Sequence, residues 1–366
     1  MRKLFALLSL LVIASMALAA CGTPAPAEAP AAEAPVAEAP MAEGFHSADP
    51  TTFVVATIGE PETLDPALAY ETAGGEIIQN VYETLVFYDG EATDKFVPML
   101  AESWEVSDDG MVYTFKMRSG VKFHDGADLT ASDVAYSFQR GLLFGGYSGP
   151  QWLLAEPFFG IGTDDISIVV ANEIANGIAA KVVAGEELTF PLFGGVDQAA
   201  FDEAMADVDV ADADAVLAAV SGLIAAPSDD RELLSTADAA ALAAACEKVT
   251  GAIVADDAAG TVTMTLAQGW GPFIPTIAQT WGSAMDKDWT VANGGWDGDC
   301  ATWQNFYAEP SESDPFTTIM NGTGPFKLDH WTQGEELVLV RNDAYWQEPA
   351  KLERVVIKSI DEWGTR

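Results

Sequence analysis

The sequence predicts a mixed α/β protein with a large hydrophobic core. Between residues 97 and 140, two runs of strand-forming residues flank a turn sequence at 107–110, which predicts a β-hairpin. After a second turn, Thr130 stands three residues before Asp133 at the head of an apolar run, which predicts a helix opened by a capping box. With 366 residues and 49% hydrophobic composition, the chain is long enough for two or three domains.

The order of residues in this stretch carries further information. It contains the phrases PMLAESW, YTFKMR, KFHDG and LTASDV in succession. These phrases resemble the signature of the family 5 extracellular solute-binding proteins, the peptide- and nickel-type receptors of ABC importers, with Met117 where the family usually has leucine. The phrases GEPETLDP at 59–66, NVYETL at 80–85, and GTGPF and RNDAYW between 322 and 346 resemble other parts of the same family pattern.

The resemblance implies an α/β fold of the periplasmic-binding-protein-like type II. It covers most of residues 52–360 apart from a weak middle, and it accounts only for a first lobe and its accessory subdomain. We expect residues 51–88 and 252–366 to form a discontinuous core of lobe I, and residues 89–251 to form the accessory α+β subdomain. The second lobe is expected to be largely absent, as in a C-terminally truncated member.

The N-terminus predicts export and anchoring. Two basic residues precede an apolar run at 4–18, which predicts a signal peptide over residues 1–20 because the run is short for a membrane span. The ending LAAC resembles a bacterial lipobox, which implies lipidation of Cys21; the alternative is an ordinary signal peptide that contains a cysteine. The Ala/Pro/Glu repeats at 21–50 predict an extended tether. We therefore expect an extracytoplasmic protein, lipid-anchored to the bacterial cell membrane, in the periplasm or at the cell surface.

The charge balance restricts the partners. The chain has 17 Lys and Arg against 56 Asp and Glu, a net charge of -39. Phosphate binding requires a basic surface, so a nucleic-acid partner is excluded. Anionic headgroups are repelled, so membrane contact is expected only through the lipid anchor. The acidity itself fits either a solvated surface or a preference for cationic ligands.

Hydrophobic patterns predict the remaining elements less specifically. The segment 141–259 carries the weakest signal, and its helix-favouring parts are rich in alanine and acidic residues. Strands are predicted at 53–56, 166–170, 261–266, 337–341 and 354–360, and helices at about 76–85, 199–220 and 235–249.

The candidate ligand contacts come from a loop and from tryptophans. In relatives the loop between the LDP and NxYExL phrases lines the ligand cleft, so the resemblance implies Tyr70, Glu71 and Thr72; the alternative is that they are ordinary surface-loop residues. Trp281 and Trp303 adjoin polar, glycine-rich stretches and are candidates for stacking on a ligand, with core packing as the alternative.

Two cysteines remain once Cys21 is assigned to lipid. An even remainder in an exported protein favours a disulfide between Cys246 and Cys300. Two buried free thiols are the alternative, since spacing alone does not decide between them.

No catalytic or metal-binding pattern stands out. The three histidines, His46, His124 and His330, form no HExxH signature, and there is no GxSxG motif. The aspartates between 207 and 214 and the WDGD sequence at 296–299 lack the spacing of a calcium loop. We therefore expect no enzyme activity, no metal and no cofactor.

The functional hypothesis is a monomeric substrate-binding component of an ABC importer. It would capture peptides or similar small solutes outside the cytoplasmic membrane and deliver them to the permease and ATPase complex. The alternatives are a secreted lipid-anchored hydrolase and a surface sensor or adhesin lipoprotein.

Overall fold

A computed structural model of the chain describes residues 49–146, 149–161 and 165–360. The predicted signal peptide, Cys21 and the tether up to residue 48 lie outside these residues. The strands are β1 (Thr52–Thr57), β2 (Val86–Tyr88), β3 (Phe96–Pro98), β4 (Ala101–Val106), β5 (Val112–Met117), β6 (Ile253–Asp256), β7 (Thr261–Thr265), β8 (Phe326–Thr332), β9 (Glu336–Arg341) and β10 (Arg354–Ser359). The helices are α1 (Thr72–Val81), α2 (Ala131–Phe144), α3 (Trp152–Phe159), α4 (Ile166–Ala184), α5 (Gln198–Met205), α6 (Ala213–Ser221), α7 (Arg231–Ser235), α8 (Ala239–Ala252), α9 (Phe273–Ile277) and α10 (Lys287–Ala292).

The first sheet has the strand order β1-β10-β9-β8. β1 runs parallel to β10, and the other two pairs are antiparallel. The sequence predicted a buried strand at 53–56, but Phe53 and Val54 are 51% and 57% exposed. The strand is confirmed, but the prediction that it is buried is wrong. β1 lies at the edge of the sheet, and neither side chain joins a buried cluster.

The second sheet has the order β4-β5-β7-β6 and is antiparallel throughout. The predicted hairpin is confirmed as β4 and β5, closed by a hydrogen bond from the Ser107 amide to the Val112 carbonyl. β7 then pairs with β5, so distant segments of the chain build one sheet. The expected boundary between residues 251 and 252 therefore separates β6 and β7 from the sheet to which they belong.

The capping box at the start of α2 is confirmed. The Thr130 side chain accepts from the Asp133 amide at 3.2 Å, and the Asp133 carboxylate accepts from the Thr130 amide at 2.8 Å. These two hydrogen bonds satisfy backbone donors that a helix start otherwise leaves unpaired.

The strand predicted at 166–170 is wrong, since these residues open helix α4. Asp165 caps the helix by accepting from the Ser167 amide at 2.8 Å. The β-branched run costs the helix little, and its buried side chains belong to the main hydrophobic cluster. Among the described residues, α4 alone has the length and hydropathy of a membrane span.

The core divides into two hydrophobic clusters. The larger surrounds the second sheet with α2, α4 and α8, and the smaller joins α1 to the first sheet. Arg140 of α2 lies where they meet, with its guanidinium 4.8 Å from the Phe144 ring of one cluster and 5.0 Å from the Phe316 ring of the other.

A buried ion pair holds this junction. Arg140 Nη1 donates to Asp65 Oδ1 at 2.8 Å, Nη2 donates to Asp65 Oδ2, and Asp314 lies 4.0 Å from Nη2. Arg140 is 2% exposed and Asp65 is fully buried. Burial, followed by the charge of Asp65, raises the pKa of the Asp314 carboxyl to about 8.

The two candidate disulfide cysteines lie side by side. Cys246 is buried on α8 and Cys300 lies in the loop after α10, with their Cα atoms 5.4 Å apart and their sulfurs at bonding distance. This Cα separation falls in the usual range for a disulfide.

We expect reduction of this bond to destabilise the protein. A cross-link between residues 54 apart restricts the unfolded chain, and for a loop of this length the stabilisation is about 4 kcal/mol. Urea unfolding with and without dithiothreitol measures the difference. The double variant Cys246→Ala/Cys300→Ala is the control and should not respond to reductant. Two free thiols in a mass measurement under non-reducing conditions would contradict the pairing.

We also expect Asp314 to make stability fall as the pH rises. The folded carboxyl has a pKa of about 8 against an ordinary value of 3.8, so the folded state keeps a proton that the unfolded state has lost. The stabilisation is complete below the lower value and disappears as the pH rises through the higher one. Asp314→Asn should flatten this slope of the free energy of unfolding, whereas Asp94→Asn, in an exposed loop, should keep it. An unchanged slope in Asp314→Asn would refute the assignment.

Candidate functional site

Asp65 fixes the loop that leads to the candidate ligand residues. Its Oδ1 atom accepts from the Ala67 amide at 2.8 Å, and its carbonyl accepts from the amides of Leu68 and Ala69. The same carboxylate binds Arg140, so the ion pair and the loop share one anchor. The loop conformation up to Tyr70 therefore depends on a buried charge pair.

Glu71 begins helix α1 as its N-cap. Its carboxylate accepts from the Gly74 amide at 2.6 Å and from the Glu62 amide at 3.0 Å. Both oxygens are thus engaged by the backbone, which favours a structural role in shaping the loop. Thr72 follows as the first helical residue and is exposed.

Four of the five predicted ligand residues line one open depression of about 460 Å³. The Tyr70 ring is 50% exposed and meets the Trp281 ring edge-on, with centroids 6.0 Å apart. The indole Nε1 of Trp281 is buried and has no hydrogen-bond partner within the described part of the chain. The depression thus has aromatic edges, whereas the buried indole N–H of Trp281 is not part of its accessible surface. Its predicted members are Tyr70, Glu71, Thr72 and Trp281.

Trp303 is the exception, and its assignment to the cleft is wrong. The side chain is fully buried, its Nε1 donates to the Leu242 carbonyl at 3.0 Å, and its ring packs edge-on against Tyr307. The polar residues next to it in sequence lie on the surface while the indole points into the core. Core packing, the alternative at this position, is what the structure has.

Sequence reasoning missed four polar residues of the depression. Glu76 and Gln79 follow Thr72 on α1 by about one and two helical turns, so helical spacing places all three on one face. Gln279 and Thr280 immediately precede Trp281 and line the same wall. Both signals were available from the sequence once Thr72 and Trp281 had been selected.

Glu83 forms a second polar centre, which brings three of the family phrases together in space. Glu83 of the NVYETL phrase is 5% exposed and accepts from Tyr345 Oη at 2.6 Å, Thr323 Oγ1 at 2.7 Å and Trp346 Nε1 at 2.7 Å. Burial raises the pKa of Glu83. Its three donors come from the GTGPF and RNDAYW phrases, so one carboxylate joins three separated motifs.

The glycines of the GTGPF phrase allow two backbones to touch. The Gly324 amide donates to the Val81 carbonyl at 2.9 Å, and a Cβ atom on Gly324 would lie 2.8 Å from that carbonyl oxygen. A Cβ atom on Gly322 would lie still closer, 2.0 Å from the same carbonyl oxygen. Any side chain at these positions would push the loop away from the end of α1.

His124 attaches the KFHDG turn to the same loop. Its Nε2 lies 3.0 Å from the Gly324 carbonyl, which accepts the proton of the neutral ring. Burial lowers the pKa of His124 to about 4, so the ring is neutral at neutral pH. The histidine therefore has a structural role in this turn. In the described residues no group of three or more His, Cys, Asp or Glu side chains is placed to hold a metal ion.

The α/β fold thus presents an open depression with aromatic and amide walls. The family model of the bacterial extracellular solute-binding proteins, family 5 Middle, matches residues 95–366. The chain belongs to this family, and the predicted periplasmic-binding-protein-like fold is confirmed.

Similar proteins match over parts of the chain. The haem-binding protein A of Haemophilus influenzae is 46% identical over 103 residues, covering 26% of this chain and 19% of that protein. The di/tripeptide-binding protein 2 of Pseudomonas aeruginosa is 44% identical over 105 residues, with the same two coverages. The structure of Listeria monocytogenes OppA bound to peptide is 19% identical with a TM-score of 0.50, covering 86% of this chain and 43% of that one. The chain thus spans less than half the length of these proteins.

Proposed function

We propose that this chain is the solute-capturing part of an ABC importer receptor, which binds peptides or similar small solutes and presents them to a permease. The observation that carries the proposal is the depression formed by Tyr70, Thr72, Gln279 and Trp281. Family membership supports the binding role and an extracytoplasmic location. Anchoring through a lipid on Cys21 belongs to the same proposal.

The depression suits a ligand with amide groups. Tyr70 and Trp281 supply rings against which a planar amide can pack. Gln79 and Gln279 supply amide groups at the same wall. Peptide-binding proteins are among the relatives by name, which favours peptides over other solutes.

The remaining wall of the cleft is proposed to come from a second lobe. The match covers 43% of the Listeria monocytogenes structure, and a second lobe in the unmatched part would close over the solute by hinge motion. Ligand contacts to both lobes would favour the closed form, which the permease then recognises.

Calorimetry on the protein purified from an exporting host tests the proposal. We expect saturable binding of tripeptides without cleavage, and no solute retained through purification, because the depression supplies only one wall of the cleft. Trp281→Ala removes the ring that lines the depression, so the affinity should fall at least about fivefold.

Trp104→Ala is the matched control, because Trp104 is half-buried on β4 and does not line the depression. Its affinity for tripeptides should equal that of the wild type. Hydrolysis of the tripeptides would contradict a binding role. Equal affinity in Trp281→Ala and wild type would remove this depression from the ligand site.

A further inference from the structure

A second, more enclosed cavity adjoins the depression. It has a volume of about 200 Å³ and shares Gln79, Gln279 and Thr280 with the open depression as a common border. Behind this border the walls are formed largely by rings and a thioether. These side chains are Tyr82, Phe87, Tyr88, Met99 and Tyr345.

Most hydroxyl groups of the cavity are engaged with the protein itself, whereas Gln79 and Thr280 lie at the border with the depression. Gln279 Nε2 donates to Tyr88 Oη at 2.8 Å, and Tyr88 Oη donates to the Pro275 carbonyl at 3.4 Å. The Thr84 hydroxyl donates to the Val86 carbonyl at 2.6 Å. The surface left for a guest is therefore mainly carbon.

Glu83 determines which charges the cavity tolerates. Both oxygens of this carboxylate already accept hydrogen bonds from the hydroxyls of Tyr345 and Thr323 and from the Trp346 indole. These three donors fill most of its about four acceptor positions, so Glu83 has at most one position left for a ligand cation. A ligand carboxylate in the cavity would be repelled by this acidic group, so an anionic guest is disfavoured.

The size of the cavity fits one small hydrocarbon group. A dry apolar cavity of about 150 Å³ is known to admit benzene, and this cavity is about 200 Å³. Burial of a ring or an isobutyl group against these walls is favourable because it removes apolar surface from water.

We propose that this cavity is a subsite for an uncharged aromatic or branched aliphatic group of the captured solute, such as a phenylalanine or leucine side chain. The inference rests on the proposed function, since it assumes that the rest of the solute lies in the adjoining depression. The three shared border residues place the cavity next to the depression. A solute held beside Trp281 can place one side chain past Gln279 and Thr280.

Toluene and benzoate are the probes, because they share a ring and differ in the carboxylate. The chain is labelled with ¹³C at the methionine methyl groups, and Met99→Leu assigns the Met99 signal. We expect saturable toluene-dependent shifts of the Met99 methyl, none at Met205 of α5, and at least tenfold weaker binding of benzoate. No Met99 response to toluene, or equal binding of the two probes, would overturn the proposal.

A variant that fills the cavity provides a second test of the proposal. Met99→Trp should weaken toluene binding at least tenfold, whereas Met205→Trp, also half-buried but outside the cavity, should leave it unchanged. Unchanged toluene affinity in Met99→Trp would overturn the proposal, and the methyl shifts of the wild type test it even if this variant does not fold.

The tripeptides Ala-Phe-Ala and Ala-Glu-Ala connect the cavity to the proposed function. We expect only Ala-Phe-Ala to displace toluene. Displacement by both peptides, or by neither when both bind, would contradict the subsite. Binding of toluene with no binding of any solute would instead refute the proposed function while supporting the apolar specificity of the cavity.

Discussion

The ion pair between Asp65 and Arg140 is the interaction on which the arrangement of the molecule depends. A charge removed from water is costly unless a partner and hydrogen bonds compensate it, and here two parallel hydrogen bonds do so. Arg140 lies between aromatic rings of the two hydrophobic clusters. The pair therefore fixes how α2, which packs on the second sheet, meets the loop that precedes α1.

The same constraint reaches the candidate site. Asp65 also accepts from the Ala67 amide, so the loop that carries Tyr70 is held by the residue that binds Arg140. Glu83, just after the end of α1, performs a comparable task by joining three sequence motifs. Asp65 thus holds the loop before α1 and Glu83 the segments after it, through polar networks that require specific partners.

Two local signals were predicted correctly, whereas the strand predicted at 166–170 was wrong and the long-range strand pairing was not predicted. The capping box at Thr130 and the β4–β5 hairpin depend on neighbouring residues, so the pattern contained them. The pairing of β7 with β5 joins segments about 150 residues apart, and no local pattern specifies such a partner. Trp303 was misplaced because the direction of a side chain depends on packing. The resemblance to the family located the loop at Tyr70, whereas residue chemistry alone left it an ordinary surface loop.

A double-mutant cycle on the Asp65–Arg140 pair tests this account most directly, using Asp65→Asn, Arg140→Gln and the double variant in urea unfolding. Each single change leaves one buried partner uncompensated and should cost about 3–5 kcal/mol of the free energy of unfolding. The double variant should cost less than the sum of the two, with an interaction energy of about 2–3 kcal/mol. Additivity within about 0.5 kcal/mol would contradict the central role of the pair.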